Sequence, residues 1–473
     1  MTDSPLAGTA HLDRTAFVGG PRDWTWREVH AAAADLAQRL PPRAPVCNLC
    51  ASRVGFLVTW LAALRRGGSL LLPPSVGAAD LAQLLAGMPD ATVVVDDETL
   101  LQPLAEAGTA GLVFLPQPPA IPPDDATLAW TPEWDRPAAC LYTSGTTGQP
   151  RPHWRTLRQL MQGAQALRTR LDPAVEGGLA AWRAIVCSVP PQHMFGFETS
   201  VMLPLLTGIP VLDRRPLLPA DVRAALAQCG GPVAWIATPL HLRALAQAGE
   251  SLPDCRLALV STMPLAAGLA VQVEPLVGAP VVEIFGSTET GALATRRTAR
   301  ETRWQPLGDV RLKRVEDGTR VTGSHFPSPQ QLADLVELAD DGRFELLGRH
   351  ADLVKVGGRR ASLAGLNLLL QDLPGLQDGA FYHPPGDAGT SRLVMLHAGA
   401  LDRAAAERWL RARIDPVFLP RTWIQVDRLP RDANGKLPRA ALDVLWAAQR
   451  SSSALEFTFT VGASHPALPG HFP

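Results

Sequence analysis

The sequence predicts an α/β fold built on largely parallel sheets. Short apolar runs of strand length recur between residues 69 and 285, and amphipathic stretches of helical length stand between them. A second observation bounds the size. The chain has 473 residues, 46% hydrophobic and 19% charged, too many for one small core and too apolar for a disordered majority. Two or three domains are therefore expected.

Residues 24–40 read as an amphipathic helix in which Leu36 and Leu40 share a face with Ala32 and Ala33, and Pro41-Pro42 ends it. A helix over 56–66 leads into a strand over 69–72. Further strands are expected over 92–95, 111–115, 184–189, 233–237, 257–261 and 281–285, with helices over 221–228 and 241–248 among them. Ligands in such sheets gather at the carboxyl ends of strands. Residues 342–347 form one more short strand, and the next roughly one hundred residues carry a strand and helix pattern of their own, as a small second domain would. Residues 446–454 read as a polar, Ser-rich linker, and 456–473 change character again.

The net charge of −1 points away from a nucleic-acid partner. Of the six cysteines, only Cys47 and Cys50 form a close pair, and no second pair or histidine set completes a zinc site. Both are expected as small apolar residues on a buried strand and its exit turn, with free thiols. Residues 1–13 lack the basic head and apolar run of a signal peptide. The most apolar segment, 54–72, is broken by Arg65-Arg66-Gly67-Gly68 and is too short and charged to span a membrane. A cytoplasmic protein is expected.

Four motifs carry chemistry. The first is Leu141-Tyr142-Thr143-Ser144-Gly145-Thr146-Thr147-Gly148-Gln149-Pro150-Arg151-Pro152, two glycines and four hydroxyl residues between an apolar lead-in and a helix-like segment. Such a loop brings backbone N–H groups and hydroxyls close to phosphate oxygens. It is not the common P-loop, because the two glycines stand too close and no Lys-Ser/Thr pair follows. The second, Ile284-Phe285-Gly286-Ser287-Thr288-Glu289-Thr290-Gly291, ends an expected strand. It reads either as a helix start capped by Ser287 or Thr288, or as a nucleotide pocket in which Phe285 stacks on a base, Thr288 contacts phosphate and Glu289 binds Mg²⁺. The third runs from Gly348-Arg349-His350 to Gly357-Gly358-Arg359-Arg360. The fourth is Leu429-Pro430-Arg431-Asp432-Ala433-Asn434-Gly435-Lys436-Leu437-Pro438-Arg439, a charged turn when taken alone.

In this order, over nearly the whole chain from Trp24 to Leu442, the four motifs resemble those of the adenylate-forming superfamily: acyl-CoA synthetases, peptide-synthetase adenylation domains and luciferases. The resemblance implies a large N-terminal adenylation domain, 1–348, of layered α/β sheets plus a small β subdomain. It implies a small mobile α+β domain over 349–446, leaving 447–473 as linker and stub. It implies ATP and Mg²⁺. Thr143, Ser144, Gly145, Thr146, Thr147 and Gly148 would hold the β- and γ-phosphates, with Thr146 also near the metal. Phe285 and Gly286 would lie against adenine, Thr288 would reach the α-phosphate, and Glu289 would bind Mg²⁺. Asp334 and Arg349 would hold the ribose, and Lys436 would bridge the substrate carboxylate and the α-phosphate. His193, Phe195, Gly196, Phe197 and Glu198 would lie beside the acid.

Three departures stand out. The loop exit reads Pro150-Arg151-Pro152-His153 where the family has Pro-Lys-Gly, and arginine keeps the charge but not the geometry. The pivot position is Ala351, and Leu332-Ala333 precedes Asp334 in place of Thr-Gly. Glu198 could pair with a substrate ammonium, bind another polar group of the substrate, or bond to protein; buried, it needs a partner.

The run around Arg151-Pro152-His153, with Gln192-His193-Met194-Phe195-Gly196-Phe197-Glu198, resembles the short AMP-ligases of aryl polyene and xanthomonadin pathways, which load a hydroxybenzoate-type acid onto an acyl carrier protein. The tail His465-Pro466-Ala467-Leu468-Pro469-Gly470-His471-Phe472-Pro473 resembles the opening of a hot-dog 3-hydroxyacyl-ACP dehydratase, although the chain stops at that point and His471 is assigned no activity. The expected function is ATP-dependent activation of an aryl acid and its transfer to a phosphopantetheine thiol, of a carrier protein or of CoA. A medium-chain acyl-CoA or acyl-ACP synthetase and a non-catalytic nucleotide-binding scaffold are the alternatives.

Overall fold

The computed structural model describes residues 11–73, 78–106, 108–109, 111–115, 130–143, 151–174, 178–316, 318–349, 352–384, 392–431 and 437–448. The chain divides into two compact units, Met1–Leu347 and Gly348–Pro473.

The first unit is a mixed α/β structure with two large sheets. One has six strands in the order Leu112–Phe114, Thr92–Val95, Pro45–Asn48, Ser69–Leu72, Pro137–Thr143 and Arg151–Thr156. All neighbours are parallel except the last pair, which is antiparallel. The other has nine strands. Its central run, Val281–Ser287, Cys255–Val260, Val233–Ala237 and Ala184–Cys187, is parallel throughout and buried over most of its length. Near-continuous apolar strands such as Val233–Ala237 are what a sheet covered on both faces requires. Short antiparallel strands, Arg311–Val315, Gly318–Thr322 and Gln330–Leu332, and the pair Asp334–Leu338 with Phe344–Arg349, supply the β-rich remainder.

Helix boundaries follow the caps. The first helix is Trp26–Arg39 rather than 24–40, because Thr25 closes a capping box with Glu28. The second is Arg53–Arg65, three residues longer at its start than its apolar pattern implies, because Ser52 caps it through the N–H of Gly55. Cys47 lies on the strand Pro45–Asn48, and Cys50 follows it with its N–H donated to Asn48 Oδ1 at 3.1 Å. All six cysteines are free and buried.

The second unit is α+β. A hairpin of Leu353–Val356 and Arg359–Ser362 turns at Gly357 and Gly358, both at positive φ. The helix Leu363–Leu370 and a sheet of Asp378–Tyr382, Val394–Ala398 and Thr422–Val426 follow, with the helix Arg403–Arg411 between the last two strands. Among the described residues no helix is long and apolar enough to cross a membrane.

Candidate active site

The glycine-rich motif lies at a hairpin rather than between a strand and a helix. Its lead-in is the strand Pro137–Thr143, and its exit is a second strand, Arg151–Thr156, before the helix Leu157–Leu171 begins at the Thr156 cap. The two strands pair antiparallel, Thr143 opposite Arg151 and Leu141 opposite His153. The expected helix is delayed because Pro152 and the pairing hold residues 151–156 extended. Ser144, Gly145, Thr146, Thr147 and Gly148 lie outside the described residues, as do Lys436, His350, Ala351 and the tail with His471; Thr143 and Arg349 are described by their backbone alone.

The second motif is also a hairpin and not a capped helix. Val281–Ser287 runs parallel to Cys255–Val260, turns over residues 288–290 and returns as Gly291–Arg296. The Ser287 N–H donates to Thr290 Oγ1 at 3.2 Å, which closes the turn, and Gly291 has φ +71°, a conformation that suits glycine. Gly286 is held by close approach, since a Cβ there would stand 2.2 Å from the Gly291 carbonyl oxygen. The turn leaves Thr288 and Glu289 half-buried at the carboxyl end of a parallel strand. Phe285, just before it, packs against Trp304 and Phe344 with ring centroids 5.5 and 5.9 Å away. Asp334 opens the strand Asp334–Leu338, whose Val336 belongs to the apolar cluster against which Phe285 packs.

Behind the turn sits a residue that the motifs do not reveal. Arg155 is 2% exposed, and its Nη2 donates to the carbonyl oxygens of Thr288, at 3.3 Å, and of Glu289. Burial pulls its guanidinium down to about 10, against the opposing charges of Glu198 and Glu289. Alternation along Arg151–Thr156 is the sequence trace of this placement: Trp154 is 38% exposed while its neighbour Arg155 points inward.

The segment expected from the sequence to lie beside the acid, 193–198, follows the strand Ala184–Cys187. His193 caps the short helix Met194–Phe197 by accepting the Phe195 N–H on Nδ1 at 3.2 Å. Gly196 is required by packing, because a Cβ would meet the Pro190 carbonyl oxygen at 2.1 Å. Phe197 packs edge-on against Phe56 and Trp60. The chain continues as a π-helix, Glu198–Met202, a local geometry frequent at functional sites. Buried Arg53 braces it, donating to Ser200 Oγ at 2.7 Å and to the carbonyls of Cys187 at 2.5 Å and Val189 at 2.9 Å.

Glu198 is buried, and its Oε1 accepts the Ala292 N–H at 3.0 Å. The bond to Ala292 is the bond to protein that was one of the three possibilities open from the sequence. Burial pushes its carboxyl up to about 7, opposed by the Ala292 bond and by Arg155. On the other side of Ala292, His325 Nε2 donates to the carbonyl at 2.9 Å, and burial lowers the pKa of that imidazole. The structure thus ties the acid segment to the far end of the Thr288–Glu289 turn.

The donor set suits Mg²⁺. The half-buried Glu289 carboxylate beside the Thr288 hydroxyl is the kind of oxygen donor that a hard cation such as Mg²⁺ takes together with phosphate and water oxygens.

The parallel sheets carry a glycine- and hydroxyl-rich sequence after the strand Pro137–Thr143 and a hydroxyl–carboxylate turn after Val281–Ser287. The description "AMP-binding enzyme" matches residues 7–321, and the chain belongs to that family, whose members form acyl-AMP and use ATP with Mg²⁺. Relatives include phosphinothricin tripeptide synthetase PhsC of Streptomyces viridochromogenes, 28% identical over 91% of this chain and 44% of that protein. They also include a 4-coumarate–CoA ligase of Rhodobacter capsulatus, 30% identical over 59% of this chain and 67% of that one. The chain therefore spans less than half the length of the first relative. Among solved structures, the anthranilate CoA ligase AuaEII in complex with anthranoyl-AMP matches with TM-score 0.79 at 17% identity, over 94% of this chain and 96% of that one, a likeness of fold.

Proposed function

We propose that this protein activates an aryl carboxylic acid, of hydroxybenzoate type, and passes it to a phosphopantetheine thiol, that of an acyl carrier protein. The observation that carries the reading is the Thr288–Glu289 turn at the carboxyl end of Val281–Ser287, joined through Ala292 to the buried acid segment 193–198. Aryl acids are the substrates printed in the names of the 4-coumarate and anthranilate ligases, which supports that class. The carrier-protein acceptor rests on the sequence resemblance to aryl polyene ligases and on the dehydratase-like tail. CoA is the other acceptor.

In this reading, residues 1–348 form the adenylation domain and 349–446 a mobile domain, working in the cytoplasm. The carboxylate oxygen attacks the α-phosphorus in line, the bond to pyrophosphate breaks, and acyl-AMP remains. Two anions meet in that step, so cations are needed there. Lys436 supplies one between the carboxylate and the α-phosphate. Glu289 and Thr146 would hold Mg²⁺, which would supply a second positive charge. Thr288 contacts the α-phosphate, and Thr143, Ser144, Gly145, Thr147 and Gly148 grip the leaving phosphates. Phe285 and Gly286 face the base, and Asp334 and Arg349 the ribose. His193, Phe195, Gly196 and Phe197 shape the acid pocket, and Glu198 supports it from protein. The thiol then displaces AMP once Lys436 has withdrawn with its domain.

Acid-dependent pyrophosphate release across hydroxybenzoates, cinnamates and C6–C12 fatty acids tests the reading. Turnover concentrated on the aromatic acids is expected, and strong turnover with fatty acids alone would reject it.

A further inference from the structure

We infer that Arg155 is a positioning residue for Mg·ATP, fixing from inside the fold the peptide that joins Thr288 to Glu289. The inference rests on the adenylate-forming reading and deepens it.

One guanidinium nitrogen donates to two consecutive carbonyls, those of Thr288 and Glu289, so the peptide plane between them cannot rotate without breaking a charge-assisted bond. At the other end of the turn, Ala292 is held on both sides of its backbone, its N–H by Glu198 at 3.0 Å and its carbonyl by His325 at 2.9 Å. The turn closes on itself through the Ser287 and Thr290 bond. Its backbone is thus anchored at both ends by buried groups, while Thr288 and Glu289 keep partly exposed side chains. Rotation about a fixed backbone is then the main freedom left to the Glu289 carboxylate.

The chemistry of the clamp argues for function. Arg155 is buried with its guanidinium bonded to neutral carbonyls; among the described residues its Nε is unpartnered and no ion pair to it is formed, and the Glu198 and Glu289 carboxylates act on it only from a distance. Burying a charge this way costs several kcal/mol, and an apolar residue of similar volume is often the more stable choice. A metal site explains the cost, because outer partners of a metal ligand set its affinity, with losses of about ten- to a hundredfold when they are removed. Lysine would carry the charge on a flexible stem, without the fixed planar geometry of the guanidinium.

The test uses the full chain and the variants Arg155→Met and Arg155→Lys. Calorimetry gives the Kd for ATP at saturating and at limiting Mg²⁺, thermal unfolding without ligand gives stability, and kinetics gives KM for ATP and for the acid. Arg155→Met is expected to weaken Mg·ATP binding and raise KM for ATP by about tenfold or more, with KM for the acid within about twofold. Arg155→Lys is expected to fall between wild type and Met. A Met variant that binds Mg·ATP within twofold of wild type would overturn the inference, whatever its Tm. If the Met variant does not fold, the Lys variant decides, and wild-type affinity in it would also overturn the inference. A wild-type chain that binds no ATP in the presence of Mg²⁺ would instead bring down the adenylate-forming reading itself.

Discussion

Glu198 Oε1 accepts the backbone N–H of Ala292 at 3.0 Å, across 94 positions of sequence. The bond makes one structural piece of the segment after Ala184–Cys187 and the hairpin after Val281–Ser287. It also places a carboxyl where water does not reach, under the charge of Arg155, with the His325 imidazole on the other side of the same residue, Ala292.

That burial gives a pH dependence whose sign is fixed. The folded-state pKa, about 7, lies above the ordinary 4.5, so the native chain binds the extra proton between those values and stability falls as pH rises through that window. Comparing urea unfolding of wild type and Glu198→Gln from pH 4.5 to 8 isolates the effect. The wild type is expected to lose on the order of 3 kcal/mol relative to the variant across the window. A constant difference would show that Glu198 keeps its charge in the fold.

Lys436→Ala tests the chemistry. On the proposed function, in which Lys436 is the cation between two reacting anions, its removal is expected to slow acid-dependent pyrophosphate release by about 10²- to 10³-fold. Kd for ATP should change little, since the turn at Thr288–Glu289 and the glycine-rich loop remain. Unchanged adenylate formation would show that this lysine is not the bridging one.

Gly286→Ala tests the hairpin. The added Cβ would meet the Gly291 carbonyl oxygen at 2.2 Å, a backbone atom that cannot swing aside. A loss of about 1–3 kcal/mol in chemical denaturation is expected, together with weaker ATP binding. Wild-type values for both would mean that the strand pair yields at no cost.

Arg53→Met probes the brace on the segment proposed to line the acid pocket. The substitution keeps much of the volume and removes the buried guanidinium's bonds to the Ser200 hydroxyl and to the carbonyls of Cys187 and Val189, leaving, among the described residues, Ser200 only its bond to the Gly196 carbonyl and Val189 only its bond from the Cys187 thiol. Destabilisation of about 3 kcal/mol is expected, with KM for the acid rising more than KM for ATP. The ratio of the two KM changes is the measurement that separates a pocket brace from a general loss of stability.

The sequence showed the parallel strands well, because strands buried on both faces are written as apolar runs. Residues 69–72, 92–95 and 233–237 form strands with the expected bounds. Helix starts were less legible, since Thr25 and Ser52 act through bonds to backbone N–H groups rather than through hydrophobic pattern. The Ser287-Thr288-Glu289-Thr290 run satisfies the local grammar of a helix cap, yet Gly291 and the Thr290 hydroxyl send the chain back along the sheet. Arg155 stayed hidden for another reason. Its partners lie 133 and 134 residues away, and no short motif encodes a contact at that distance.

The six thiols have a consequence for an enzyme that makes a mixed anhydride. Acyl-AMP is an electrophile that any accessible thiolate would intercept. Here every cysteine of the chain is buried, and burial pushes Cys47, Cys140, Cys229 and Cys255 well above the ordinary range, to between about 11 and about 12. On the proposed function, the folded chain would offer an acyl-AMP no exposed thiol of its own, and the acyl group would be left for the acceptor.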